Sequence, residues 1–126
     1  MGTEENKTIV RGVYDAINAR DRDALGAALA PDLVSQTPFP EGAGRDGFLA
    51  LYDAVVAKYP DYRVEVQDQI AEGDQVVTRY TATGTAEGVD LIGIDIDRLE
   101  NGVIVQHWSE AGPADLRTVR GVVMPR

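Results

Sequence analysis

The chain has no cysteine, which removes disulfides, thiolate nucleophiles and thiolate metal sites at once. It has a single histidine, His107, so neither a His-rich zinc site nor a triad needing more than that one imidazole can be built. Lysine occurs only at Lys7 and Lys58. No apolar run approaches the roughly 18 residues that would mark a membrane span, and the start, Met1-Gly2-Thr3-Glu4-Glu5, is acidic where a signal peptide would be basic. A soluble, cytoplasmic protein is expected. Basic charge is also scarce: 12 Lys and Arg stand against 21 Asp and Glu, a formal net charge of -9. Such a field repels nucleic acid and anionic membrane surfaces, so neither is expected as a partner. At 126 residues, residues 1–126 form one domain, long enough to bury about two thirds of the unfolded surface.

What is present is helical period first and strand period afterwards. Thr3 is placed to cap a helix, with Glu4 and Glu5 in its first turn. Ile9, Val10, Val13, Tyr14 and Ile17 then recur at helical spacing to about Ala19. Asp21 can cap a short helix over 22–30, ended by Pro31. Residues 33–37 read as a short extended piece before Pro38-Phe39-Pro40. Phe48, Leu51, Tyr52, Val55, Val56 and Tyr59 give a third helix, stopped by Pro60. Beyond it the period changes to two, with Tyr62, Val64, Val66, Asp68 and Ile70 alternating with polar residues. Turns at Gly73-Asp74, Glu87-Gly88 and Asn101-Gly102 divide the rest into four antiparallel strands in meander order. The fold class is α+β, three N-terminal helices over a curved antiparallel sheet.

Asn101-Gly102 is a strong hairpin signal and sets a register. Strict counting pairs Leu99 with Ile104, Asp97 with Gln106, Ile96 with His107 and Asp95 with Trp108. One face then carries Asp95, Asp97, Trp108 and Glu110, the other Ile92, Ile94, Ile96, Val105 and His107. If Glu87-Gly88 is a two-residue loop, Ala86 faces Val89 and Tyr80 lies opposite Asp95. Tyr80, Asp95 and Trp108 then form a row across three strands. A tight Gly73-Asp74 turn adds Gln67 opposite Tyr80 and sets Asp68 opposite Arg79, with Val64, Val66, Ile70, Val77 and Thr81 on the far side. Burial alone would turn the Ile and Val side inward, because unpaired buried carboxylates are costly. Trp108, Tyr80, Leu91, Leu99 and Ile104 on the acidic side pull the other way.

Asn6-Lys7, Asn18-Ala19-Arg20-Asp21, Leu29-Ala30-Pro31-Asp32, Gly44-Arg45-Asp46-Gly47-Phe48, Tyr59-Pro60-Asp61, Ile70-Ala71-Glu72-Gly73-Asp74, Gly93-Ile94-Asp95-Ile96, Glu100-Asn101-Gly102 and His107-Trp108, in that order, resemble the SnoaL-like polyketide cyclase family of the NTF2-like superfamily. The resemblance implies a cone with a blind pocket between helices and concave sheet face. It implies Asp95 as acid/base with Tyr80 donating to a developing enolate oxygen, and Tyr14, Phe39, Tyr52, Trp108 and Glu110 around the substrate. It also implies a homodimer through the outer sheet face at Ile92, Ile94 and Ile96, and the strand register puts His107 on that face as a surface or interface residue. The expected activity is a cofactor-free, metal-free aldol-type cyclisation or isomerisation of a mostly apolar carbonyl compound. The alternative is a non-catalytic small-molecule-binding domain. The pattern departs from relatives in three places. Thr37 stands where ketosteroid isomerases keep a general-base Asp, their helix-1 tyrosine falls near Val13 with Tyr14 adjacent, and Ser109 stands where many relatives have an acid after the Trp. The aspartate–arginine–aspartate set of limonene epoxide hydrolases has no counterpart near Tyr80, Ala82 and Ser109.

Overall fold

In a computed structural model, which describes residues 2–37, 42–84 and 88–114, the chain runs α1 (Thr3–Ala19), α2 (Arg22–Ala27), β1 (Leu29–Gln36), α3 (Gly44–Lys58), β2 (Arg63–Glu72), β3 (Gln75–Gly84), β4 (Val89–Glu100) and β5 (Val103–Pro113). The strands form one sheet in the order β1-β5-β4-β3-β2. β2 to β5 are the expected antiparallel meander, and β1 adds a fifth strand parallel to β5. Among the described residues no helix is long and apolar enough to cross a membrane.

The helix boundaries follow local chemistry with two corrections. Gly2, not Thr3, occupies the N-cap of α1, without a side-chain cap bond. Asp21 does cap α2, accepting from the Ala24 N–H at 3.0 Å. The second correction concerns the end of α2: Leu29 already begins β1, so Pro31 lies in a strand. That strand is the sheet edge, where a missing N–H is tolerated. The C-terminal end of α1 is pinned to the chain entering β2. The Asn18 amide donates to Val64 O at 2.7 Å and accepts from Val64 N at 2.8 Å, replacing a neighbouring strand at the β2 edge. Arg20 donates to the carbonyls of Pro60 and Tyr62.

Two bulges and one longer connection decide which side chains enter the core. Asn101 and Gly102 both take positive φ, 52° and 82°, as a two-residue hairpin turn demands. Glu100 pairs with Val103 and Leu99 with Ile104 as expected, but Arg98 then pairs with Gln106. Val105 is the extra residue of a bulge. Ile104 and His107, three positions apart, can therefore both point inward, 1% and 8% exposed. Beyond the bulge the ladder is Asp97 with His107, Ile96 with Trp108, Asp95 with Ser109 and Ile94 with Glu110. A one-residue slip moves every following side chain to the other face.

On β2 the pairing from Glu72 to Asp68 is as read, with Asp68 opposite Arg79, but a second shift sets Val66, not Gln67, opposite Tyr80. Val64 and Val66 thereby turn inward, against the strict alternation that placed them outside. Between β3 and β4 the pairing begins at Gly84 with Val89, so Tyr80 faces Gly93 and Thr78 faces Asp95. Ala86, read as the partner of Val89, lies outside the described residues. This slip is of two positions, so Tyr80 keeps its face and moves along the strand. The resulting core between helices and sheet includes Val10, Val13, Leu25, Leu29, Leu33, Leu49, Val76, Ala82, Leu99 and Ile104.

Candidate active site

Under α1 and α3 the inner sheet face is not purely apolar. Thr78, Asp95, Asp97, His107 and Ser109 are all buried there, and the last four line a cavity of about 120 Å³. Its apolar walls include Val13, Ile17, Leu29, Phe48, Leu51, Val55 and Ile104. Strand period two brings Asp95 and Asp97 to this face, and the β5 bulge brings His107 and Ser109 opposite them.

The centre of the cluster is Asp95, 6% exposed. The Tyr14 hydroxyl donates to its Oδ2 at 2.5 Å, while Oδ1 is buried with no hydrogen-bond partner. Burial pushes the Asp95 carboxyl above its ordinary value. The charge of His107 and the hydroxyls of Tyr14 and Ser109 oppose the rise, and Asp97 adds to it. The Tyr14 phenol is pushed far up, first by burial and then by the neighbouring carboxylates, so it stays protonated and donates.

Tyr80 reaches the same site by a different route. Its ring lies across Gly93, where an added Cβ would come within 2.5 Å of the phenol end; no other residue type leaves that space. The hydroxyl faces Ser109 Oγ at 3.4 Å, and the ring lies 5.9 Å from that of Tyr14. Burial, then Asp95, pushes this phenol up as well. The second titratable unit is His107 with Asp97, Nδ1 lying 2.6 Å from Oδ1. Phe48 packs edge-on against the imidazole, centroids 5.4 Å apart. Among the described residues, no group of three or more His, Cys, Asp or Glu side chains is arranged to hold a metal ion.

The structure thus brings together Asp95, Tyr80, Tyr14 and Tyr52, all lining the cavity. It does not bring Trp108 or Glu110, which the β5 bulge turns to the outer face, Glu110 into solvent. Phe39 lies outside the described residues. His107, expected outside, is inside for the same reason, and Ser109 enters with it. The helix-1 tyrosine facing the acid is Tyr14 itself. Strict alternation could not find His107 or Ser109, because no local residue marks the bulge at Val105 that turns them inward.

Residues 10–107 match the SnoaL-like domain family. No curated protein matches the chain. Among solved structures, wild-type IdmH of Streptomyces antibioticus, a proposed polyketide cyclase, is 28% identical, with a TM-score of 0.75 over 84% of this chain and 91% of that one. AclR of Streptomyces galilaeus, a proposed hydroxylase, is 22% identical, with a TM-score of 0.79 over 98% of this chain and 89% of that one. An NTF2-like protein of unknown function from Cytophaga hutchinsonii is 17% identical, with a TM-score of 0.72 over 90% of this chain and 93% of that one. The last two bear on the fold alone, and that fold is NTF2-like.

Proposed function

The chain belongs to the SnoaL-like family, and from that footing we propose that it is a cofactor-free acid/base enzyme. Its substrate would be a small, mostly apolar carbonyl compound, enolised and then either closed into a ring by an aldol-type step or isomerised by a double-bond shift. The observation that carries this reading is the half-satisfied Asp95 carboxyl. Buried side-chain oxygens are as a rule hydrogen-bonded, whereas here Oδ2 is held by Tyr14 and Oδ1, with Ser109 opposite on β5, makes no hydrogen bond. Desolvation raises this carboxyl above its ordinary value, which makes it a stronger base. Tyr80 and Ser109 supply hydroxyls beside it for an oxygen that gains charge. The cavity sets the size: an apolar cavity of about 150 Å³ holds benzene, so about 120 Å³ seats one small ring.

The test is conversion of a β,γ-unsaturated cyclohexenone to its conjugated isomer, followed by ultraviolet absorbance. The wild-type protein accelerates it, and Asp95→Asn lowers the rate by about 10²- to 10⁴-fold, the usual worth of a positioned acid or base. A wild-type rate equal to buffer, with the ketone nonetheless bound, leaves the non-catalytic binding domain as the correct reading. We also propose that a second copy packs on the outer sheet face. Ile70, Ile92, Ile94 and Val34 are 68%, 44%, 48% and 52% exposed there, an apolar patch of the kind monomers seldom leave in water. Sedimentation at micromolar concentration decides it.

A further inference from the structure

Asp95 alone leaves half of an enolisation unassisted, because the carbonyl oxygen also needs a proton. The phenols of Tyr14, Tyr62 and Tyr80 are poor proton sources, because burial pushes all three up. The imidazole on the cavity wall is His107, paired with Asp97. Their side chains are only 10% and 4% exposed and Nδ1 and Oδ1 lie 2.6 Å apart. As a stabilising element such a pair is poor, since a hydrophobic pair of similar volume does as well or better. As a proton carrier it is well built. A carboxylate on Nδ1 fixes the tautomer and the ring orientation, compensates the charge of an imidazolium, and assigns proton exchange to Nε2. Phe48 holds the ring edge-on from α3. Asp95 and His107 are diagonal neighbours across the β4–β5 ladder, a spacing of about 7–8 Å between Cα atoms that leaves room for a carbonyl between their side chains.

Resting on the enolisation proposed above, we propose that His107, positioned by Asp97, is the second proton-transferring residue of this site and acts on the carbonyl oxygen while Asp95 acts on carbon. The C–H bond breaks as Asp95 Oδ1 takes the proton. Its electron pair becomes the new C=C bond, the carbonyl π pair moves to oxygen, and the imidazolium Nε2 proton passes to that oxygen. The products are an enol, a protonated Asp95 and a neutral imidazole. In a double-bond shift Asp95 returns its proton to the γ carbon as Nε2 recovers the hydroxyl proton. In an aldol-type closure the enol carbon bonds to a second carbonyl carbon, whose oxygen takes the Asp95 proton, and Nε2 again recovers the enol proton. Asp97 never touches the substrate and is a positioning residue.

Because the chain has one histidine, ¹⁵N spectra of its imidazole report on this residue alone. The titratable groups that share the cavity with the ring are Asp95 and Asp97 from β4, Tyr14 from α1, Tyr52 from α3, Tyr62 just before β2 and Tyr80 from β3; Asp97→Asn and Asp95→Asn separate the two carboxylates. Phenol serves as the probe, a one-ring planar hydroxyl compound that mimics the dienol. Saturating phenol shifts the Nε2 signal in wild type and not the signal of Asp97→Asn, whose ring has lost its tautomer. In the cyclohexenone assay His107→Gln lowers kcat about 100-fold, changes KM little, and abolishes the alkaline limb of the pH profile, with an unchanged circular dichroism spectrum. Asp97→Asn moves that limb, and Asp97→Glu partly restores it. Phenol bound with an unmoved Nε2 overturns the assignment, as does His107→Gln with kcat and the alkaline limb intact while Asp95→Asn is inactive. Turnover that survives Asp95→Asn but not His107→Gln instead overturns the role given to Asp95. A protein that neither binds phenol nor turns over the ketone loses the pocket reading and this assignment with it.

Discussion

Each face of the sheet carries a group of residues that the usual distribution would put on the other. The inner face, under the helices, buries Thr78, Asp95, Asp97, His107 and Ser109, while the outer face exposes Ile70, Ile92 and Ile94. A sheet built for stability alone would exchange them, because polar groups buried without full pairing cost free energy and exposed isoleucines gain none. The inner polar cluster is tolerated because most of it is paired: Tyr14 on Asp95, Asp97 on His107, Tyr80 near Ser109. What remains unpaired in that cluster is one oxygen of Asp95, a residue that lines the cavity. The contrast teaches that the site is made by register. Nothing about an Ile-Asp-Ile-Asp strand says which set goes in.

Inserting an alanine between Gln106 and His107 is the hardest blow to this arrangement. With the ladder held at Arg98 and Gln106, the one-residue slip swings His107 and Ser109 out and Trp108 and Glu110 in, placing an unpaired charge in the core. Loss of more than about 4 kcal/mol is expected, read by urea unfolding. Gly93→Ala strikes the inner face alone: its Cβ meets the Tyr80 phenol end, so the ring must leave, at a cost of about 1–3 kcal/mol. The same melt with Tyr80→Phe separates the clash from the lost hydroxyl.

The pH dependence of stability sharpens the comparison. Asp95 has a folded-state value above its unfolded one, so from the ordinary carboxylate range upward the native state holds a proton the unfolded state has released. Stability from this group is therefore complete below the unfolded value and falls as pH rises through the folded one, at up to about 1.4 kcal/mol per pH unit. The stability of wild type minus that of Asp95→Asn should decline across that window; a flat difference would contradict the raised value. Smallest is Ile94→Lys on the outer face. It shifts the melt of the isolated chain within about 0.5 kcal/mol and abolishes self-association if a second copy packs there.

Much of the fold was legible because it is written in period and punctuation. Helical spacing over Val10, Val13 and Tyr14, the Asp21 cap, Pro60, and the Gly73 and Asn101-Gly102 turns each act through nearby backbone, and the elements they imply are present. The strand β1 was largely missed because Pro31 suggested an ending, whereas an edge strand accommodates it. The site was half legible. Asp95 and Tyr80 lie on the inner face that the family resemblance implies, although Tyr80 stands opposite Gly93 and not Asp95, since a two-residue slip preserves the face. Trp108, Glu110 and His107 were reversed, since a one-residue slip does not.

Sequence by itself determined the order and type of the elements, the Asn101-Gly102 turn, and the presence of two alternating side-chain sets on β4. Only the tertiary structure decided which set looks inward on β5. Ile104 must cover Leu29 and Leu99 in the core, and His107 must reach Asp97 three residues later. The ladder can satisfy both only by bulging at Val105. A bulge of that kind is chosen by packing on both sides of the strand at once, and a local stretch of residues does not encode it.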